Sequence, residues 1–215
     1  MKTYRDHYFL KARREHYPAR SIYKLQEMDK RFRLFRPGMR VLDLGAAPGS
    51  WSLGAAERVG PKGLVIGADI RPPATPFPPQ VRFLREDIFA KTQAFADMIR
   101  EEGPFDVVLS DMAPNTTGHR ATDQARSAAL CGEALALAVS CLIKGGSFVV
   151  KVFMGPEVKS YLERLGGLFQ QARAFKPAGS RPESMETFAV ALGFRGLPPP
   201  AAGPLPQPSL PSPPG

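Results

Sequence analysis

The chain has 215 residues and carries 29 Lys and Arg against 20 Asp and Glu, a formal net charge of +9. That length suits one α/β domain with a sizeable core and is short for two domains with a linker. The positive excess points to a polyanionic partner, nucleic acid before an anionic membrane surface, and no window approaches the roughly 18 apolar residues of a membrane span.

The basic excess is N-terminal: between Lys2 and Arg36, eleven basic residues stand against four acidic ones. This segment has no apolar core of the secretory kind, and its acids suit no organellar presequence, so a cytoplasmic protein without a membrane partner is expected. Within it, "YRDHYFLKARREHYPARSIYKL" (4–25) offers Arg13, Arg14 and Arg20 to RNA phosphates and Tyr17 or Tyr23 for stacking on bases. The plain alternative for any one of them is a solvated residue on an amphipathic helix.

Beyond this segment, strands are predicted at 40–44, 64–69, 81–85, 105–110, 146–152, about 170–176 and 187–193, with helices near 20–34, 50–59, 92–102, 120–141 and 156–166. Strand and helix in alternation mean a doubly wound, Rossmann-like α/β sheet, mostly parallel, with helices on both faces. The last two strands are joined by "KPAGSRPESME" with no helix, which predicts one antiparallel edge strand in a seven-stranded sheet. Cys131 and Cys141 lie ten apart in one predicted helix, which turns them to different faces, so both are expected as reduced core residues. His7, His16 and His119 have no Cys or carboxylate at metal spacing, and no metal is expected.

Two stretches are dense in proline. "RPPATPFPPQ" (71–80) follows the second strand and is expected to shape a cleft wall. "LPPPAAGPLPQPSLPSPPG" (197–215) has nine prolines and no charge, and it reads as a disordered, partly polyproline II tail after a single domain over 1–196.

"RVLDLGAAPGSWS" (40–52) reads as strand, glycine turn, helix. Gly45 and Gly49 allow positive φ and close backbone approach, and the helix start offers free N–H groups. A pyrophosphate loop would be G-x-G-x-x-G; here the spacing is G-x-x-x-G with Pro48 inside, which disfavours an NAD-dependent oxidoreductase. Asp69, closing the second strand, is placed for ribose hydroxyls, and Asp87, after the third, for an adenine amino group. Acids without phosphate-binding lysines suit a positively charged sulfonium nucleoside, S-adenosylmethionine, with S-adenosylhomocysteine as its product.

"GGSFVVKVFMG" (145–155) sets Lys151 between apolar strand formers. Two readings stand: a lysine that snorkels to water at the carboxyl end of its strand, or a catalytic amine at the end where open α/β sheets bind their ligands.

The motif D-L-G-A-A-P-G-x-W resembles that of the FtsJ-like ribosomal RNA ribose methyltransferases. The resemblance continues through "RSIYKL" (20–25), "SDMAPN" (110–115), "GGSFVVKVF" (145–153) and "KPAGSRPESMETFAVALG" (176–193), covering residues 8 to 194. It implies a class I S-adenosylmethionine-dependent methyltransferase fold and transfer of a methyl group to a ribose 2'-oxygen. The family's Lys-Asp-Lys-Glu tetrad falls on Lys24, Asp111, Lys151 and Glu186. Its cofactor contacts fall on Gly49, Trp51, Asp69, Asp87 and Asp111, with Gly45 and Pro48 shaping the loop. For Trp51 the alternative is packing of a helix onto the sheet. The segment of about 1–36 is expected to bind RNA, helped by Arg181 from the last connection.

By the same resemblance the substrate is a uridine in the A-loop of large-subunit (23S) rRNA, in the subunit or its precursor, and the enzyme acts as a monomer. The alternatives are a 2'-O-methyltransferase on tRNA or another RNA, and a non-catalytic RNA-binding ribosome assembly factor; the intact tetrad speaks against the second. Ser50 departs from the family, which commonly has glycine there, and so do the proline-dense loop and the tail.

Overall fold

The computed structural model describes residues 3–180 and 184–196; Arg181 and the 197–215 tail lie outside the described residues. Its helices are α1 (Thr3–Arg14), α2 (Ile22–Phe32), α3 (Ser50–Val59), α4 (Gln93–Glu102), α5 (Arg120–Cys141) and α6 (Glu157–Leu168). Its strands are β1 (Arg40–Leu44), β2 (Leu64–Asp69), β3 (Val81–Arg85), β4 (Phe105–Ser110), β5 (Leu142–Phe153), β6 (Phe169–Phe175) and β7 (Glu186–Phe194). The seven strands form one sheet in the order β3-β2-β1-β4-β5-β7-β6.

β3, β2, β1, β4 and β5 pair in parallel, and β7 pairs antiparallel with both β5 and β6. The mostly parallel sheet expected from the sequence is present, with antiparallel pairing confined to one side. The reversed strand itself lies one place in from that edge, because β7 hydrogen-bonds along both of its sides while β6 takes the outside. The order reverses between β1 and β4, so the crevice above their carboxyl ends is the natural ligand site of such a sheet.

Burial on both faces explains why the central parallel strands are mostly apolar. Leu42, Leu44, Val108, Phe148 and Val150 pack under α4, α5 and α6. The alternating residues Val41, Val107, Leu109 and Val149 pack under α2 and α3, with Leu25, Met28 and Ala55. Burying each such side chain contributes about 1.5–3 kcal/mol. Cys131 and Cys141 are buried on the α5 side as free thiols, which burial pushes up to about 11 and 12.

The apolar pattern does not announce α1. It holds to the body through Ala12, buried in a small cluster with Ile22 and Tyr23 of α2, and keeps Arg13 and Arg14 exposed on its last turn.

Candidate active site

Alternation along β5 decides where Lys151 points. Val150 and Val152 face the α5 side, so Lys151 shares the opposite face with Val149, toward α2 and α3. The residue is 8% exposed. Its Nζ donates to the Asp111 carbonyl oxygen at 2.6 Å and to Asp111 Oδ1 at 2.9 Å. A buried lysine nitrogen needs such partners, and Asp111 supplies two of them. Asp111 is the first residue after β4, and its own N–H donates to Leu44 O at 3.2 Å, continuing the β1–β4 pairing into the site.

The other two tetrad residues form a second ion pair. Lys24, the third residue of α2, pairs with Glu186, the first residue of β7. Both side chains are largely buried, at 12% and 17% exposure. Because β7 runs backwards, its first residue lies at the carboxyl end of β5, opposite Phe153. Phe188, two residues on, faces Lys151 across the strands, and the Lys24 ammonium stands 5.7 Å from its ring centre. Lys151 and Glu186 are thus diagonal neighbours on one face of an antiparallel pair, a placement that typically leaves about 7–8 Å between them.

Beside these pairs opens a cavity of about 660 Å³ whose wall includes Gly45, Asp69, Asp87, Asp111 and Lys151. The exposed apolar side chains of Ile70 and Phe89 also line it. Gly45 has φ 78°, and a Cβ there would come within 2.6 Å of Met112 Cγ, so the loop can pass only as glycine. Asp69 accepts from Ala47 N–H at 3.0 Å through Oδ2 and from Arg71 N–H at 2.8 Å through Oδ1. It therefore fixes the glycine loop as well as facing the cavity, and each oxygen keeps a lone pair for a ligand hydroxyl. Asp87 Oδ1 accepts from Phe89 N–H at 2.9 Å. Its neighbour Glu86 turns inward to accept from Thr92, the residue that caps α4.

Beneath the loop, Asp43 is fully buried. Its Oδ2 accepts from Ser52 Oγ at 2.6 Å, and its Oδ1 has no partner. Burial pushes its carboxyl up to about 7, and the nearby Asp111 and Asp69 charges add to the rise. Three carboxylates thus converge on the loop, with no Lys or Arg in the loop itself.

Other expected residues are placed differently. Trp51 is 3% exposed; its Nε1 donates to Ser21 O at 2.9 Å and its ring packs 5.6 Å from Phe188. It pins α3 to α2 and to the sheet, the packing role that the sequence offered as the alternative to a cofactor contact, and it is not among the residues of the cavity wall. Pro48 and Gly49 shape the loop from outside the cavity wall. The Tyr17 and Tyr23 hydroxyls donate to Glu57 and Glu15; the Tyr23 ring is buried, which removes it as a stacking platform, whereas Tyr17 is half-buried. Arg20 is half-buried, whereas Arg13 and Arg14 are exposed.

Sequence reasoning missed the roles of three residues. Asp43 carried the same signal as Lys151, a charge inside an apolar strand. Phe188 carried none, since its role depends on the β5–β7 register. Ser50 joins the cofactor helix to the N-terminal segment, its Oγ accepting from Ala19 N–H at 2.7 Å and donating to Ala19 O at 3.1 Å.

These residues fit S-adenosylmethionine. A sulfonium and an ammonium suit a wall that carries Asp69, Asp87 and Asp111, the glycine loop leaves room that a Cβ would fill, and Ile70 and Phe89 supply an apolar slot for a base. When bound, that donor supplies an electrophilic methyl carbon.

Comparison with known proteins agrees with this geometry. The chain matches the FtsJ-like methyltransferase family over residues 17–194. It is 66% identical over 196 residues to Ribosomal RNA large subunit methyltransferase E of Nitratidesulfovibrio vulgaris, covering 91% of this chain and 98% of the relative. It is 63% identical over 198 residues to the protein of the same name from Oleidesulfovibrio alaskensis, covering 92% and 96%. Among solved structures, a ribosomal RNA methyltransferase from Plasmodium falciparum superposes with a TM-score of 0.74 at 26% identity, over 84% of this chain and 100% of that one. Human methyltransferase-like protein 13, solved with SAH, shares the fold alone, at TM-score 0.55 and 16% identity over 78% of this chain and 82% of that one. With the family match and such relatives spanning most of its length, the chain belongs to the FtsJ-like methyltransferase family.

Proposed function

We propose that this protein methylates the ribose 2'-oxygen of a nucleotide in large-subunit ribosomal RNA, a uridine of the A-loop, using S-adenosylmethionine. The observation that carries the chemistry is the pair of ion pairs, Lys151 with Asp111 and Lys24 with Glu186, joined through Phe188 at the carboxyl edge of the sheet. The substrate is supported by relatives named for large-subunit ribosomal RNA that match this chain over nearly their whole lengths.

In this reading Asp69 holds the ribose hydroxyls of the donor and Asp87 its adenine amino group. The attacking 2'-hydroxyl is a poor nucleophile, so most of the rate comes from holding it in line with the methyl carbon, an effect that can reach about 7–11 kcal/mol. Lys151 Nζ, which can serve as a base only as the neutral amine, would take the hydroxyl proton as the carbon–oxygen bond forms and the donor's methyl–sulfur bond breaks, and the Asp111 carboxylate at 2.9 Å would stabilise the resulting ammonium. Lys24, held by Glu186, positions the substrate ribose and keeps a second positive charge over the cleft.

RNA approaches across the N-terminal segment of about 1–36, where Arg13 and Arg14 are exposed for phosphates. The catalytic domain lies within 1–196, and the enzyme works as a cytoplasmic monomer on the subunit or its precursor; no helix among the described residues is long and apolar enough to cross a membrane. Mapping ribose methylation on ribosomal RNA from cells lacking the gene tests the assignment. One large-subunit uridine should lose its methyl group, and an unchanged large-subunit map would overturn the substrate.

A further inference from the structure

The proline-dense connection between β2 and β3 has a second job. Its Ala74 N–H donates to Pro48 O at 2.9 Å, inside the glycine loop. Three residues on, Phe77 lies over Gly49: a Cβ on that glycine, which has φ 120°, would meet the ring carbons at 3.0 and 3.2 Å, with Pro18 at 3.9 Å. Phe77 is itself backed by Phe83 of β3 at 6.1 Å between ring centres. Asp69, at the start of the same connection, accepts from Ala47 N–H at 3.0 Å. Three successive loop residues, Ala47, Pro48 and Gly49, are therefore each held by the chain that runs from the end of β2 into β3.

Five of the ten residues 71–80 are prolines. Proline fixes φ, so the connection has few other shapes to visit, and holding Phe77 over Gly49 costs it little entropy. A glycine loop with two positive-φ residues is the opposite case, flexible by itself. We propose that the 71–80 connection is a clamp that preorganises the S-adenosylmethionine loop, with Phe77 and the Ala74 amide as its positioning groups. This rests on the cofactor reading above. Arg71 of the connection reaches the cavity wall, whereas Ala74 and Phe77 are not part of it, so these two groups act on donor affinity through the population of the competent loop rather than by contact with the donor.

Three variants separate the clamp from ordinary packing. Ala74→Pro removes one donor at an exposed residue, while Phe77→Ala removes the ring and Phe77→Leu keeps an apolar cover. If the competent loop falls to about a tenth of the population, S-adenosylhomocysteine binds ~10-fold more weakly by calorimetry. That loss is expected for Ala74→Pro and Phe77→Ala, with Phe77→Leu within about 2-fold of the parent. In turnover, KM for the donor should rise by more than kcat falls. Independently of any ligand, hydrogen exchange at residues 45–50 of the unliganded protein should quicken in the first two variants, with helix α5 as the unaffected internal standard. Unchanged exchange and unchanged affinity would overturn the clamp. A parent protein that fails to bind S-adenosylhomocysteine would instead overturn the cofactor reading, and the exchange measurement would still judge the clamp.

Discussion

Phe188 faces Lys151 directly across the β5–β7 pair and carries the Lys24 ammonium 5.7 Å from its ring centre. One aromatic side chain thus sets the spacing between the two ion pairs. A ring under a partly desolvated ammonium is worth about 0.5–2 kcal/mol, while leucine keeps the burial and loses the quadrupole. Phe188→Leu should therefore cost about 1–2 kcal/mol of stability and lower kcat more than it raises KM for RNA. In a double-mutant cycle with Lys24→Met by urea denaturation, a coupling of about 0.5–1 kcal/mol is expected; additive effects would sever Phe188 from Lys24.

Lys151 can be asked whether its proton or only its charge matters. Arginine keeps the charge and can pair with Asp111, but it cannot give up a proton in a protein. Both Lys151→Ala and Lys151→Arg should lose about 10²–10⁴-fold in kcat, with S-adenosylhomocysteine affinity near that of the parent. An arginine variant retaining a tenth of the turnover would reassign Lys151 to positioning.

Much of this site was legible beforehand. β1 to β4, α3 and α5 run over the predicted residues, most plainly where a strand buried on both faces is an apolar run closed by an acid, as from Leu64 to Asp69. What sequence could not carry was side-chain direction and long-range register. Trp51 sits on the first turn of α3 as predicted, and its indole packs against Phe188 and donates to Ser21 O, partners that the motif alone does not name. The tyrosines of the N-terminal segment looked free for bases because the acids that take their hydroxyls, Glu15 and Glu57, are neighbours only after α1, α2 and α3 pack. Phe77 and Phe188 act across pairings that no local pattern encodes.

Asp43 gives stability a pH dependence of known sign. In the folded chain it keeps its proton up to about pH 7, against an ordinary value of 3.8. Between those values the folded state binds more protons than the unfolded one, so its contribution is complete below about pH 3.8 and is lost as pH rises through 7. A rise from 3.8 to about 7 corresponds to at most ~4 kcal/mol. Asp43→Asn keeps an acceptor for Ser52 and cannot ionise, so it should gain about 1–3 kcal/mol over the parent at pH 8 and little at pH 4. Melting curves across that range check it, and a variant less stable at pH 8 would show the buried charge to be compensated.

Gly45→Ala should weaken both the fold and donor binding. The new methyl meets Met112 Cγ at 2.6 Å at a residue held at φ 78°. A cost of about 1–3 kcal/mol is expected from the strained backbone. Met112→Ala should not rescue it, because the Met112 backbone N and Cα lie at 3.0 and 3.1 Å from the same point. Recovery of the melting temperature in the double variant would show that only the Met112 side chain stands in the way.

The N-terminal arginines make the separate prediction about RNA. Arg13 and Arg14 are exposed on the last turn of α1, in a segment where eleven basic residues stand against four acids. Contacts of this kind release counterions, and each phosphate neutralised steepens the salt dependence of log affinity by roughly 0.7–0.9. Replacing both by alanine should flatten that slope by about 1.5 and weaken RNA binding at low salt, leaving S-adenosylhomocysteine affinity untouched because neither residue lines the donor cavity. Since both side chains are solvated, the fold should hold, which a melting curve confirms before the RNA titration is read. An unchanged salt slope would remove α1 from the RNA path and leave its basic face as solvated surface.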